Sequence, residues 1–339
     1  MTVRRVKVRY FAIVLVPISI FWINAVITDY LMAVDLNVPS DIVQDGRHWL
    51  EAAGRYRFLA ATWIFSAFTV LAVALLVRSL ARPTALETRA AALATIIIIL
   101  LMVVVPTLQH NATPDGPRVY HRLGAEVFEA ALSRGTLPGC NGPDDHWLLG
   151  RCGEIPIISL LNRILDIVNV FAALGVGALI IGMILCLETR DSDDVEQEAA
   201  LLAENLRQMR QQLYLSSLTL TFGMFFATSW MYWPLPMVLD AERSAYSAVV
   251  LASALYTGTY FSLLILSFYL PVALILDGRV RKLAETAGRS AKTGARLDVN
   301  DWRDSHGLKE GAADYLRAGL AVLAPILAAF AGGISPLAL

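Results

Sequence analysis

The chain has 339 residues, is 56% hydrophobic and 17% charged, and carries a net charge of −1. A soluble domain carries roughly 25% charged and about 45–50% apolar residues, so an ordinary water-soluble globule is excluded. The near-neutral balance also excludes an overall field that would draw in nucleic acid.

The apolar excess falls in runs of about 18 residues or more, the length that crosses roughly 30 Å of hydrocarbon. The expected fold is all-α: a polytopic transmembrane helical bundle of about six spans, with a disulfide-stapled outer loop and a cytoplasmic helical segment. Segment 1–108 holds the first three spans. Tyr10–Ile27 follows the basic stretch Arg4, Arg5, Lys7 and Arg9. It is longer than the roughly 7–15-residue core of a cleaved leader, so it reads as a retained helix. Phe58–Val77 is closed by Arg78 and Arg82-Pro83, and Ala90–Leu108 has a wholly aliphatic centre at Ile96–Leu101. The second and third spans read as lipid-facing.

Segment 109–155 is too long for a turn and reads as an extracytoplasmic cap. Val119–Arg134 has the spacing of one amphipathic helix. Cys140 and Cys152 fall in the same loop and read as a disulfide, with free thiols or metal ligands as alternatives. His110, His121, His146, Asp144 and Asp145 show no recognised metal-ligand spacing, so no metal or other cofactor is expected. Asn111-Ala112-Thr113 matches a glycosylation sequon, a pattern common by chance.

Segment 156–187 holds the fourth span, Val170–Leu187, with an interfacial start. Asn162, Asp166 and Asn169 share one helix face. Two readings stay open: an interfacial helix start with Arg163 and Asp166 paired, or a polar lining for ion or substrate entry. Gly175, Gly177, Ala178 and Gly182 permit close helix contact, and Cys186 reads as packing.

Segment 188–212 reads as a cytoplasmic helix, capped by Asp191–Asp194 and continuous with the fifth span. Val195, Ala199, Leu202, Leu206, Met209 and Leu213 recur at alternating spacings of four and three, a heptad seam. That seam either packs on the chain's own C-terminal region or assembles a homo-oligomer.

Segment 213–276 holds the fifth span, Leu213–Trp233, and the sixth, Tyr246–Leu276. Both are rich in hydroxyls, making Thr221, Thr228, Thr257 and Thr259 candidates for a hydrated lining. Such hydroxyls also commonly bond back to their own helix. Asn24, deep in the first span, reads as one interhelical hydrogen bond.

Segment 277–339 reads as a cytoplasmic tail with an apolar C-terminal helix. Its 288–294 stretch resembles a phosphate-binding loop only superficially, lacking the preceding strand and the Gly-Lys-Ser/Thr ending. Residues 318–338 are uncharged and long enough to cross, but Pro325, Gly332, Gly333 and Pro336 interrupt them. A seventh span, an interfacial helix and a re-entrant hairpin all remain open.

Lys and Arg near the span ends put the N-terminus, the 78–89 and 190–210 connections and the C-terminal tail in the cytoplasm of a bacterial inner membrane. The functional expectation is a non-catalytic, oligomeric channel or membrane effector coupled through its cytoplasmic helix. The alternatives are a secondary transporter of three-plus-three helices and a sensor or anchor for a protein partner. Lipid bilayer, further copies of the chain and possibly a protein partner are the expected contacts.

Overall fold

The computed structural model describes residues 5–28, 43–44, 47–112, 119–140, 142, 144–147, 150–152, 157–190, 194–290, 299–309 and 311–334. Inside hydrocarbon each backbone N–H and C=O must be satisfied within its own segment, so the apolar runs become long helices. A 3-10 turn at Val8–Val14 leads into α1 (Leu15–Val26). Next come α2 (His48–Ala81), α3 (Leu86–Ala112) and the cap helix α4 (Val119–Ser133). A small antiparallel ribbon, β1 (His146–Trp147) with β2 (Gly150–Arg151), completes the cap. Then follow α5 (Ile157–Leu185), α6 (Val195–Tyr232), α7 (Arg243–Ser290), α8 (Val299–Ser305) and α9 (Ala312–Ile334).

The chain is thus an all-α helical membrane bundle. Six of its helices are long and apolar enough to cross a membrane: residues 8–26, 48–81, 86–105, 163–185, 243–288 and 312–332. They are not the six expected. The C-terminal helix α9 is among them, and the expected fifth span, the second half of α6, is not. The reason lies in packing. From Leu213 to Met231, α6 is buried on most of its circumference, enclosed by α2, α5, α7 and α9. A helix sheltered by neighbours can carry Ser216, Ser217, Thr219 and Thr228 in buried positions, because those hydroxyls meet helix carbonyls and not lipid. The outer helices show the complementary pattern. Leu93, Ile97, Ile98 and Leu101 of α3 and Leu316, Leu320, Leu323 and Leu327 of α9 are exposed, the surface a bilayer would cover. On α2 the lipid-facing expectation holds for one side only: Phe58, Phe65, Ala72 and Leu76 are buried against the bundle, while Trp63, Val70 and Val77 are exposed.

Of the arrangements left open for the apolar C-terminal helix, α9 is long and apolar enough for a span. It packs along α6 and α7, and its breakers are packing devices. A Cβ built on Gly258 of α7 would lie 2.9 Å from the Pro325 carbonyl oxygen and 3.0 Å from the Ala329 Cβ. A Cβ on Gly332 would lie 3.3 Å from Thr228 Oγ1. Small residues let the two backbones approach, the usual substitute for hydrophobic driving force inside a bilayer. Helix α7 runs on without a break past 276 to Ser290. Residues 291–298, which contain part of the loop-like stretch, lie outside the described residues.

The bundle has two distinct ends. At the basic face, Thr189 N–H donates to the Arg5 carbonyl at 2.9 Å, and Val6 N–H donates to Thr88 Oγ1 at 3.2 Å. The Arg279 guanidinium donates to the Leu187 and Glu188 carbonyls at 3.0 and 3.1 Å, and Asn205 Nδ2 donates to Glu188 at 3.0 Å. These donors fill orphan carbonyls just past the C-terminus of α5, a position that favours a cation, and tie α5, α6 and α7 together. At the cap face, Cys140 and Cys152 form a disulfide with a Cα–Cα separation of 5.6 Å. Gly332 lies beside Thr228, one turn short of Trp233 at the cap face, whereas Arg5 lies at the basic face. Among the described residues, Arg5 and Gly332 thus lie toward opposite ends of the bundle.

Candidate functional site

Helices α1, α2, α3, α5, α6 and α7 border a cavity of about 380 Å3, within the roughly 300–1,000 Å3 of small-molecule sites. Its walls follow from local sequence. On α1, Pro17, Phe21, Asn24 and Thr28 recur at spacings of three and four and line one side. On α5, Val168, Asn169, Ala172, Ala173, Val176 and Ile180 line another, and Ala172 and Ala173 leave the space that larger residues would fill. Gly223 and Ala227 do the same on α6. Tyr256, Thr257, Tyr260 and Leu264 of α7 close the third wall.

The lining is graded along the membrane normal. Toward the cap face stand Asn24, Thr28, Asn169, Ser253, Tyr256 and Thr257; toward the basic face stand Pro17, Ile18, Val176, Ile180, Leu220 and Leu264. From Val168 to Ile180 the helix rises about 18 Å, more than half of a roughly 30 Å hydrocarbon layer. The deep end is sealed by the main core, in which Ile180, Ile184, Leu213, Leu220, Leu264 and Phe268 are buried together. No described residue lining the cavity carries a charge. At the polar end the Tyr256 hydroxyl donates to Asn24 Oδ1 at 3.0 Å.

The residues singled out in the sequence are distributed unevenly around this site. Asn24 makes the expected interhelical bond, and the cavity also lies against it. Asn169 and Thr257 line the cavity. Asn162 sits on α5, but its side chain lies outside the described residues. Asp166 is 8% exposed, and its Oδ1 has no hydrogen-bond partner, while Arg163 on the same helix is exposed; the expected Arg163–Asp166 pairing is not formed. The four threonines do not converge on one lumen. Thr228 is buried against α9 and donates to the Met224 carbonyl at 2.9 Å. Thr259 faces outward and donates to the Leu255 carbonyl at 2.8 Å. Thr221 Oγ1 is buried without a partner and does not line the cavity.

The heptad seam is likewise used within the chain. Ala199, Leu202, Leu206, Met209 and Leu213 are buried in the main core, with Val195 packed against it. The expected oligomer seam therefore presents no free apolar face. Tyr256 and Tyr260 belong to the hydroxyl-rich sixth span that the sequence singled out, whereas Pro17, Phe21 and Thr28 on α1 are the lining residues that sequence reasoning missed. The signal was present as the three-four spacing of Pro17, Phe21, Asn24 and Thr28.

Above the cavity, the cap is locked to the bundle by an aromatic cluster. Trp147 stacks on Trp233 with ring centroids 5.6 Å apart, and Phe128 meets Trp233 edge-on at 4.8 Å. Trp233 Nε1 donates to Glu51 Oε1 at 2.9 Å, and Arg55 Nη2 meets Glu51 Oε2 at 2.6 Å. Glu51 is only 1% exposed, so both partners are needed to hold its charge. Among the described residues no group of three His, Cys, Asp or Glu side chains could hold a metal ion. The side chains of His110 and His121 lie outside the described residues. No protein-family model, curated protein or solved structure matches the chain.

Proposed function

We propose that this protein is a ligand-binding membrane effector of the sensor or transporter type, whose site lies inside a single chain. The observation that carries the reading is the cavity, polar toward the cap face, apolar in its depth and sealed toward the basic face. That is the form of a ligand site, an apolar pocket with a few convergent polar groups. Two motives of the channel reading are weakened, since the threonines point in different directions and the heptad seam is filled by the chain's own core.

Orientation is part of the proposal. The cap with its disulfide belongs to the oxidising, extracytoplasmic side, and the basic face belongs to the cytoplasm of a bacterial inner membrane. Residue 5 is then cytoplasmic, and the far end of α9 lies outside. The α6 helix carries wall residues Gly223 and Ala227 at one end and the cytoplasmic Asn205–Glu188 contact at the other, giving a rigid connection between site and interior. No catalytic chemistry is assigned.

The test uses purified protein in phosphatidylcholine nanodiscs and a panel of neutral, anionic and cationic small molecules. At least one compound should raise the unfolding temperature of the parent chain and lose that effect in Ala173→Trp, which fills the cavity. Protection that survives cavity filling, for every active compound, refutes the reading. Uptake of the active compound into proteoliposomes then separates transport from sensing.

A further inference from the structure

We infer that the cavity takes an uncharged, single-chain amphiphile drawn from the bilayer, its polar group held near Asn24 and Tyr256 and its chain lying toward Ile180 and Leu264. This rests on the cavity being a ligand site, as proposed above, and names the chemical class of the ligand.

Three observations lead to it. First, no described lining residue carries a charge, and a buried ionised headgroup without a counter-charge is strongly unfavourable. Second, the polar lining residues gather toward the cap face while the deep end of the lining is apolar, matching a molecule with one polar end. The Tyr256 hydroxyl already donates to Asn24 Oδ1. That bond leaves the two N–H donors of Asn24 Nδ2 and the acceptor lone pairs of the tyrosine oxygen for a hydroxyl or ester group. Third, the walls provide a route from lipid. The 3-10 turn at Val8–Val14 packs against α3, but α1 beyond it packs on α7 and shares no extended interface with α3. Both helices border the cavity, through Phe21 and Asn24 on one and Met102 and Val103 on the other.

Photolabelling of the full chain in phosphatidylcholine nanodiscs tests the inference. The probes are a monoacylglycerol and a fatty acid carrying the same diazirine-bearing chain, so that only the polar end differs. The expected result is labelling by the monoacylglycerol of peptides that line the cavity on α1, α5 and α7, weaker labelling there by the carboxylate, and loss of both with Ala173→Trp. Asn24→Leu combined with Tyr256→Phe keeps the cavity open and should lower monoacylglycerol labelling about fivefold, the worth of about one neutral hydrogen bond; it also serves if Ala173→Trp does not fold. Stronger cavity labelling by the carboxylate overturns the neutral-ligand inference but leaves the cavity as a ligand site. Labelling confined to the exposed faces of α2 and α3, unchanged by either variant, overturns both.

Discussion

The close approach of α7 and α9 at Gly258 is the feature that most changes the picture of the molecule, and two alanine substitutions test it. Gly258 and Gly278 lie on the same helix, yet a Cβ on Gly258 would come within 2.9 Å of a backbone oxygen, while one on Gly278 would meet nothing within 4 Å. Gly278→Ala should therefore gain helix propensity, up to about 1 kcal/mol. Gly258→Ala gains the same term but must push α9 aside, and overpacking costs about 1–3 kcal/mol. The two variants should thus differ by about 2 kcal/mol, with Gly258→Ala the less stable. Thermal or denaturant unfolding in one detergent, followed by far-UV circular dichroism, reads the difference. If Gly258→Ala is stabilised as much as Gly278→Ala, α9 does not pack on α7, and the helix belongs elsewhere.

Two further expectations concern the faces of the bundle. Replacing both Cys140 and Cys152 with serine opens a loop whose ends are 12 residues apart, which by chain entropy costs about 3 kcal/mol; an unfolding temperature unchanged by the substitutions, or by reductant on the parent chain, contradicts a structural staple. At the basic face His306 Nδ1 lies 2.7 Å from the Trp302 carbonyl and Nε2 lies 2.9 Å from Glu196 Oε2. The carbonyl first, and then the carboxylate, hold the imidazole above its ordinary value of 6.5. Because the folded value is the higher, this contact contributes fully below the ordinary value and is lost as pH rises through the elevated one. Glu196→Gln should bring the His306 titration, read by NMR of labelled histidine, back toward 6.5; an unmoved titration shows that the carboxylate does not contribute.

Much of the bundle could be read from periodicity alone. The existence of α2 and α3, the cap helix, the disulfide and the continuity of α6 from its Asp194 cap into the bundle all follow local rules, run length, three-four spacing and side-chain capping, although α2 begins at His48, well before its apolar run. What local rules could not supply was partnership. A heptad seam looks the same whether a second chain or the parent chain fills it, and Leu202, Leu206 and Met209 are filled from within. Ala and Gly in α9 read as weak membrane anchors because transfer scales count one residue against lipid. Gly332 lies instead against Thr228, where small size is the favourable property. The hydroxyls of α6 and α7 misled for a related reason. Composition identifies how many polar atoms a helix carries, but not whether Thr228, Thr257 and Thr259 face a neighbour, a void or the outside. The cavity depends on the spacing between helices that share no sequence relation, and so its polar residues could be noted span by span but not their convergence.

The enclosure of α6 also bears on the order in which the molecule is assembled. Its hydroxyl-bearing half is sheltered partly by α9, which is synthesised more than 80 residues later. Until α9 arrives, the groove between α6 and α7 around Met224 and Ala254, both fully buried in the finished bundle, stands open to lipid. The bundle can therefore close only from its C-terminal side. A nascent chain that stops before α9 would present the membrane quality-control machinery with a helix too polar to remain alone in the bilayer.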